Sequence, residues 1–156
     1  MRTIFSLAEL EQKIGQEVAV SDWVSIDQER IGLFADATGD HQWIHVDEER
    51  CRRESPFGGP VAHGFLILSL LPMLMENAFS ISEQGITVNY GLNKVRFPAV
   101  VPAGSRLRAR MTLREISRVA GGMQMLWQAT LEREGGEKPV CVAELVTRRY
   151  TSSLPG

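Results

Sequence analysis

The feature that most limits how this chain can fold is the apolar run FLILSLLPMLM at residues 65–75. Its hydrophobic residues fall on every side of a helix rather than on one face, and a helix of that kind has to be buried. The wider run of residues 61–75 is too short to cross a bilayer, and it carries His63, Ser69 and Pro72. We therefore predict a buried helix over residues 63–79, with a kink or break near its last turns at Pro72.

The residues after this helix have the pattern of strands. Apolar and polar residues alternate with a period of two over residues 85–97, 106–116, 123–131 and 140–150. Glycine-containing turns join the last three strands into a predicted antiparallel meander. A sheet wrapped around one long helix covers that helix on most sides, so we predict an α+β fold. The side left uncovered needs a partner, and a homodimer is expected. A row of arginines is predicted to form a solvated strand face: Arg106, Arg108, Arg110 and Arg114.

The first part of the chain predicts smaller elements. Residues 6–12 have the residue types of a short helix that begins with a capping box. Asp27 and Gly39 are suited to begin and end a second helix. The predicted apolar positions of that second helix are Ile31, Leu33, Phe34 and Ala37. Residues 17–26 predict a first strand or an extended segment, and residues 40–60 predict a polar loop.

The composition of the chain indicates its cellular compartment and limits the kinds of partner it is expected to bind. The chain has 156 residues, enough for one domain, and its 44% hydrophobic and 23% charged residues are typical of a folded soluble protein. A formal net charge of −2 gives no indication of a nucleic-acid partner. Cys51 and Cys141 lie far apart and outside any CxxC motif, which favours free thiols. We expect one domain over residues 1–156, located in the cytoplasm, with no membrane partner.

All three histidines lie in residues 37–64, directly before the apolar helix. Asp40 and His45 are five residues apart, and a carboxylate beside an imidazole can hold one water molecule between them. One group then removes a proton and the other returns one. The alternative, from spacing alone, is that Asp40 caps the following turn and His45 is a packing residue.

A metal site is the weaker interpretation of the same segment. Asp40, His41, His45 and Asp47 include the donor types that zinc binds. The segment contains no HExxH motif, and no cysteine stands beside these donors as a further ligand. We therefore expect no metal.

Gly64 is predicted to open the buried helix, after a Gly-Gly-Pro turn at residues 58–60. Backbone N–H groups in a first helical turn have no partner within the helix and lie at the positive end of its dipole. They suit an oxygen that becomes negative during a reaction, as in an oxyanion hole. Because Gly64 has no side chain, a ligand carbonyl could approach its N–H. Close packing of the helix against a strand is a compatible reason for the glycine.

These segments resemble a known family, the MaoC-like dehydratases, which are (R)-specific enoyl-CoA hydratases. The resemblance rests on A-T-G-D at residues 37–40, I-H-V-D at 44–47, F-G-G-P at 57–60 and A-H-G-F-L at 62–66. V-R-F-P and V-P-A-G, at residues 95–98 and 101–104, are similar to the family's strand and turn after its central helix. Gln42-Trp43 stands where many members have Asn-Pro, and this variant resembles the nodulation-protein-N-like branch.

The resemblance implies a hot-dog fold, in which an antiparallel sheet wraps around a long central helix. It also implies reversible addition of water to a trans-2-enoyl thioester, giving an (R)-3-hydroxyacyl thioester. In this interpretation Asp40 and His45 activate the water, the Gly64 N–H receives the thioester oxygen, and no cofactor takes part. The thioester is carried by CoA or by acyl carrier protein, and the sequence leaves that choice and the acyl chain length open.

Further residues are assigned to this expected site. A serine that supports the aspartate in some members falls near Pro72 here, so Gln42, Asn89 and Asn93 are considered for that support and for substrate binding. His63 is expected beside the substrate, where it shapes the turn that presents Gly64. Two other functions remain open: a thioesterase on the same fold, and an acyl-thioester-binding module without activity. The intact Asp–His pair argues against the second.

Overall fold

The computed structural model describes residues 2–151. The helices are α1 (Leu7–Glu11), α2 (Gln28–Thr38), α3 (Trp43–Val46), α4 (Glu48–Glu54), α5 (Gly64–Ser69) and α6 (Leu71–Ala78). The strands are β1 (Thr3–Phe5), β2 (Glu17–Val20), β3 (Val24–Ile26), β4 (Phe79–Ile81), β5 (Ile86–Arg96), β6 (Ser105–Val119), β7 (Gly122–Arg133) and β8 (Cys141–Tyr150).

Six of the strands form one antiparallel sheet in the order β2-β6-β7-β8-β5, with β3 also paired to β6. The predicted meander is confirmed as β6, β7 and β8. Gly121, in the turn between β6 and β7, has a φ of 80°, a conformation that glycine adopts without strain. β1 and β4 form a separate parallel pair, which the sequence pattern did not predict.

The apolar run packs against this sheet but is broken in its middle. α5 ends at Ser69, α6 begins at Leu71, and Pro72 lies in the first turn of α6. Proline has no N–H to donate and clashes with the preceding turn, which is why the helix is interrupted before it. The expected position of the break, near the last turns, was therefore wrong.

One side of the apolar run remains uncovered. Leu66, Ile67, Leu71 and Leu74 are buried, but Phe65 is 70% exposed. The isolated chain thus has the uncovered side that the sequence analysis predicted for this helix. The neighbouring edge strand β5 also exposes apolar side chains, at Ile86, Val88, Tyr90 and Leu92. The exposed apolar residues of these helices, together with the free edge of β5, are called the open apolar face.

The first part of the chain follows the predictions with three corrections. α1 begins with the predicted capping box, and α2 lies between the Asp27 cap and Gly39. Within α2, however, the buried residues are Ile31 and Ala35, whereas the expected positions Leu33 and Ala37 are exposed. Residues 17–26 form two strands rather than one, and the predicted loop contains α3 and α4.

The two cysteines are free and buried, as predicted. Burial raises the pKa of the Cys141 thiol to about 11. Within residues 2–151, no helix has both the length and the apolar character needed to span a membrane.

Candidate active site

Asp40 follows directly after α2. Gly39 ends that helix in the left-handed conformation, with φ of 79°, and its N–H donates to the Ala35 carbonyl over 2.8 Å. This turn leaves the Asp40 side chain 51% exposed. Its Oδ1 accepts a hydrogen bond from the backbone N–H of Gln42 at 3.3 Å. Asp40 therefore does cap the following turn, and it also presents a carboxylate that a ligand can reach.

His45 lies in α3 and is only 7% exposed. Its Nδ1 is 2.6 Å from the carbonyl oxygen of Val61. A carbonyl can only accept, so we infer that Nδ1 carries the hydrogen and that Nε2 keeps the lone pair of the neutral ring. Gln28, at the start of α2, donates its side-chain amide to the His45 carbonyl over 2.7 Å. The Val61 carbonyl therefore holds the ring of His45, and the Gln28 side chain holds its main chain.

His63 joins these two residues from the start of α5. Its Nε2 is 3.0 Å from the main-chain carbonyl of Asp40, and its ring stacks on that of His45 with centroids 3.8 Å apart. A carboxylate oxygen of Asp40 and one ring nitrogen each of His45 and His63 all lie within 4.8 Å of one another. Residues from three separate segments thus meet at one point.

Gly64 is the first residue of α5, so its N–H has no partner within the helix. A Cβ at this position would lie 3.2 Å from the Phe97 ring. The glycine therefore allows close packing as well as close approach to its N–H. The preceding segment is fixed by hydrogen bonds from Ala62 N–H to the Val101 carbonyl and from Ala103 N–H to the Pro60 carbonyl, of 2.8 and 2.9 Å.

The four residues considered as metal ligands do not form one cluster. They are Asp40, His41, His45 and Asp47. His41 pairs with Asp36 at 2.9 Å, and Asp47 caps α4 by accepting from the Arg50 N–H at 3.0 Å. The cluster that does form includes two imidazoles inclined by only 24°. Nearly parallel rings direct their nitrogen lone pairs side by side rather than toward one point, whereas the ligands of a metal converge on it. This arrangement suits proton transfer better than chelation.

Three polar residues assigned to the site lie differently from expectation. Gln42 supports Asp40 through its backbone N–H rather than its side chain. Asn89, on β5, lines a cavity beside Pro72, and Pro72 is eight residues or about 12 Å of helix from Gly64. Asn93 is exposed further along the same strand. Within the described chain, no hydrogen bond joins Asn89 or Asn93 to the Asp40–His45 pair.

An apolar groove lies beside the helices, and its lining includes none of Asp40, His45, His63 and Gly64. A space of about 260 Å³ opens between α5, α6 and β5, and its lining includes Leu68, one turn from Gly64. Pro72 and Asn89 line both this groove and a larger cavity of about 400 Å³. The floor of the larger cavity includes the buried Trp127. The volume of the larger cavity is in the range of small-molecule sites, about 300–1,000 Å³.

Several residues that build the site were not found from the sequence. Val61 contributes a carbonyl oxygen, which every residue has and which no sequence pattern marks. Gln28 and Phe34 lie on α2, and Phe34 contacts the His63 ring at a centroid distance of 4.9 Å. Phe34 was assigned to the core because it matched the helical apolar pattern, and no local signal linked either residue to the site.

The fold and the site define a class of protein. The chain belongs to the MaoC-like family, since the MaoC like domain model matches residues 9–134. It is 51% identical over 149 residues to 3-hydroxyacyl-thioester dehydratase Z of Mycobacterium tuberculosis, covering 95% of this chain and 98% of that protein. It is 46% identical to nodulation protein N of Rhizobium leguminosarum, covering 91% of this chain and 89% of that one. The predicted family and branch are therefore confirmed.

The solved structures agree on the fold. The R-hydratase from Pseudomonas aeruginosa matches with a TM-score of 0.71 at 22% identity, covering 96% of this chain and 92% of that one. At this identity the match concerns the fold alone. It confirms the predicted hot-dog architecture, an antiparallel sheet packed against a central helical segment.

Proposed function

We propose that this chain is an (R)-specific 3-hydroxyacyl-thioester dehydratase, a hydro-lyase that also adds water to trans-2-enoyl thioesters. The proposal rests on one observation. The Asp40 carboxylate and the His45 ring lie close together beside the start of α5, and Asp40 is exposed to solvent. The name of the 51% identical relative, a 3-hydroxyacyl-thioester dehydratase, supports the same reaction.

The geometry supports each step of the proposed reaction. Asp40 and the unprotonated Nε2 of His45 hold a water molecule, whose oxygen attacks C3 of the enoyl group. The pair takes one proton from the water and delivers one proton to C2, so that its own protonation is unchanged at the end. Between these two proton transfers, the electrons of the double bond move to the thioester oxygen. The Gly64 N–H stabilises the negative charge that develops there. Dehydration is the same path reversed.

The apolar groove beside α5 and α6 supports an acyl substrate. Its lining residue Leu68 is one helical turn, or about 6 Å, from Gly64, and the groove shares Pro72 and Asn89 with the larger cavity. A thioester carbonyl held at Gly64 would place its acyl chain along Leu68 and the neighbouring apolar side chains. A panel of enoyl-CoA substrates of increasing length would show how much of this space the chain uses.

We further propose that the chain acts as a single domain, in the cytoplasm, as a homodimer. The open apolar face of α5, α6 and β5 supports the homodimer, because exposed patches of this kind mark association surfaces. CoA and acyl carrier protein remain the two candidate carriers of the substrate.

Hydration of crotonyl-CoA tests the proposal. The purified protein is expected to remove the absorbance of the conjugated enoyl thioester. Asp40→Asn and His45→Gln are each expected to slow that loss by about 10²- to 10⁴-fold, the usual contribution of a general acid or base. His41→Gln is the matched control, because this histidine is exposed and pairs with Asp36 instead.

Equal turnover by the wild type and both site variants would refute the mechanism. Release of free thiol, followed with a colorimetric thiol reagent, without prior loss of the double bond would identify a thioesterase instead. Binding of CoA esters without turnover at any chain length would identify a binding module.

A further inference from the structure

His63 is a buried side chain for which the mechanism above has no role. It is only 3% exposed and stands immediately before Gly64, at the N-cap position of α5. Its side chain nevertheless makes no capping hydrogen bond to that helix. Neither helix capping nor contact with solvent therefore accounts for a histidine at this position.

The first contact of His63 fixes the main chain at Asp40. Its Nε2 lies 3.0 Å from the Asp40 carbonyl oxygen, across 23 residues of sequence. Because a carbonyl only accepts, Nε2 donates, and the hydrogen of the neutral ring is therefore on Nε2. The same nitrogen is 4.0 Å from the Asp40 carboxylate, too far for a hydrogen bond. His63 thus bonds to the backbone of Asp40 and not to its carboxylate.

The second contact is with the ring of His45. The two imidazoles stack with centroids 3.8 Å apart, and Phe34 contacts His63 as well. His45 itself has one hydrogen bond from its ring, between Nδ1 and the Val61 carbonyl. A single hydrogen bond lets a ring swing about that bond, whereas a stacked neighbour fixes the plane in which Nε2 points.

The buried Nδ1 of His63 agrees with this arrangement. Among the described residues, this nitrogen has no hydrogen-bond partner. A hydrogen on Nδ1 would be a buried donor without an acceptor, which costs free energy. A hydrogen on Nε2 instead has the Asp40 carbonyl as its acceptor.

We propose that His63 is a positioning residue that fixes Asp40 and His45 relative to each other through two separable contacts. Its N–H donor sets the main chain of Asp40, and its ring face sets the orientation of His45. The inference rests on the proposed function, since it assigns to His63 the alignment of the pair that handles the water. His63 itself transfers no proton.

Two variants separate these contacts. His63→Gln keeps an N–H donor near the position of Nε2 and removes the ring, whereas His63→Phe keeps a ring and removes the donor. Each is expected to lower kcat for crotonyl-CoA by about 10- to 100-fold, the size of effect that a misplacement of about 1 Å produces. KM is expected to change by less than about threefold, because neither contact is to the substrate. His63→Leu, which lacks both groups, is expected to lose more than either.

Thermal unfolding and size-exclusion profiles like those of the wild type are the condition for comparing rates, and His41→Gln again serves as control. If His63 served only in packing, its replacement would lower Tm but would not lower kcat while leaving KM nearly unchanged. Full kcat in both folded variants would overturn the proposal, as would a change in KM alone.

A second measurement needs no activity and so separates this inference from the proposed function. Ring ¹⁵N signals of the wild type are expected to show one tautomer for each residue, with the hydrogen on Nδ1 of His45 and on Nε2 of His63. In His63→Gln, the His45 signals are expected to broaden as the ring loses its stacked neighbour. Tautomer exchange at His45 in the wild type, or sharp unchanged signals in the variant, would overturn the positioning role even if hydration is observed. If no hydration occurs, the proposed function fails while these signals still decide the geometry.

Discussion

Glu132 shows how single side chains organise the outer face of the sheet. Its carboxylate accepts hydrogen bonds from Arg108 and Arg110, and Arg110 also pairs with Glu17 at 3.1 Å. Burial raises the pKa of Glu132, but the two guanidinium groups outweigh that effect and lower it overall. The predicted solvated arginine face is therefore partly solvated and partly an ion-pair network.

Replacing this carboxylate is expected to remove a pH-dependent contribution to stability. A pKa that is lower in the folded state stabilises the fold above the ordinary value near 4.5, and this contribution is lost as the pH falls through the folded value. Glu132→Gln is expected to lower the free energy of unfolding by about 1–2 kcal/mol at pH 7, the size of a charge-assisted hydrogen bond with partial exposure. The difference from the wild type should shrink below about pH 4.5.

Urea unfolding at pH 7, 5 and 3.5 measures this difference. Glu137→Gln, in the exposed turn between β7 and β8, is the matched control and should leave stability unchanged. A Glu132→Gln deficit of the same size at every pH would contradict the role assigned to its charge.

At the scale of elements, one buried serine explains why β2 and β3 are two strands. Ser21 lies between them, and its N–H donates to the Ala109 carbonyl of β6 over 2.9 Å. Its Oγ in turn accepts from the Ala109 N–H over 2.8 Å. A side-chain hydroxyl thus takes the place of a backbone carbonyl at this point, and the strand is interrupted without leaving a buried N–H unpaired.

Ser21→Ala is expected to destabilise the fold by about 1–3 kcal/mol, because it leaves the buried Ala109 N–H without an acceptor. Thermal or chemical denaturation measures the loss. Ser69→Ala is the control, because the Ser69 hydroxyl bonds to the Phe65 carbonyl on an exposed helix surface, and its removal should cost less than about 0.5 kcal/mol. Equal effects of the two substitutions would mean that the Ser21 hydroxyl does not serve as the missing acceptor.

At the scale of the whole molecule, the open apolar face is the feature that the isolated chain leaves unexplained. α5 and α6 bury one side against the sheet and expose Phe65 and Met73 on the other. β5, at the edge of the sheet, also has exposed apolar side chains. A second copy of the chain that covers this face would remove the apolar surface from water.

Phe65→Glu is expected to convert a dimer into a monomer, because it places a charge where the apolar face is most exposed. Light scattering coupled to size-exclusion chromatography measures the mass directly. Leu33→Glu is a matched control, since this leucine is 63% exposed but lies on α2, away from β5, α5 and α6. A monomeric wild type, or dissociation by both substitutions alike, would contradict a homodimer through this face.

Local features of the fold followed from the sequence because the interactions behind them are local. The Ser6 capping box, the Asp27 and Gly39 ends of α2 and the turn at Gly121 each depend on hydrogen bonds between residues a few positions apart. Period-two patterns marked the meander strands, since each strand places alternate residues on one face. Asp40, His45 and Gly64 were singled out by residue type, spacing and resemblance, and their catalytic roles stay predictions.

What only the tertiary structure decided depends on contacts between distant residues. The pairing of β1 with β4 could not be read from local patterns. The stack of His63 on His45 accompanies hydrogen bonds that join the segment before α5 to α3, from the Val61 N–H to the Ile44 carbonyl and between His45 Nδ1 and the Val61 carbonyl. The amino-acid sequence determined which groups are available for chemistry near the apolar helix. Long-range packing determined which of them meet, since side-chain geometry is set by neighbours that are far away in the sequence.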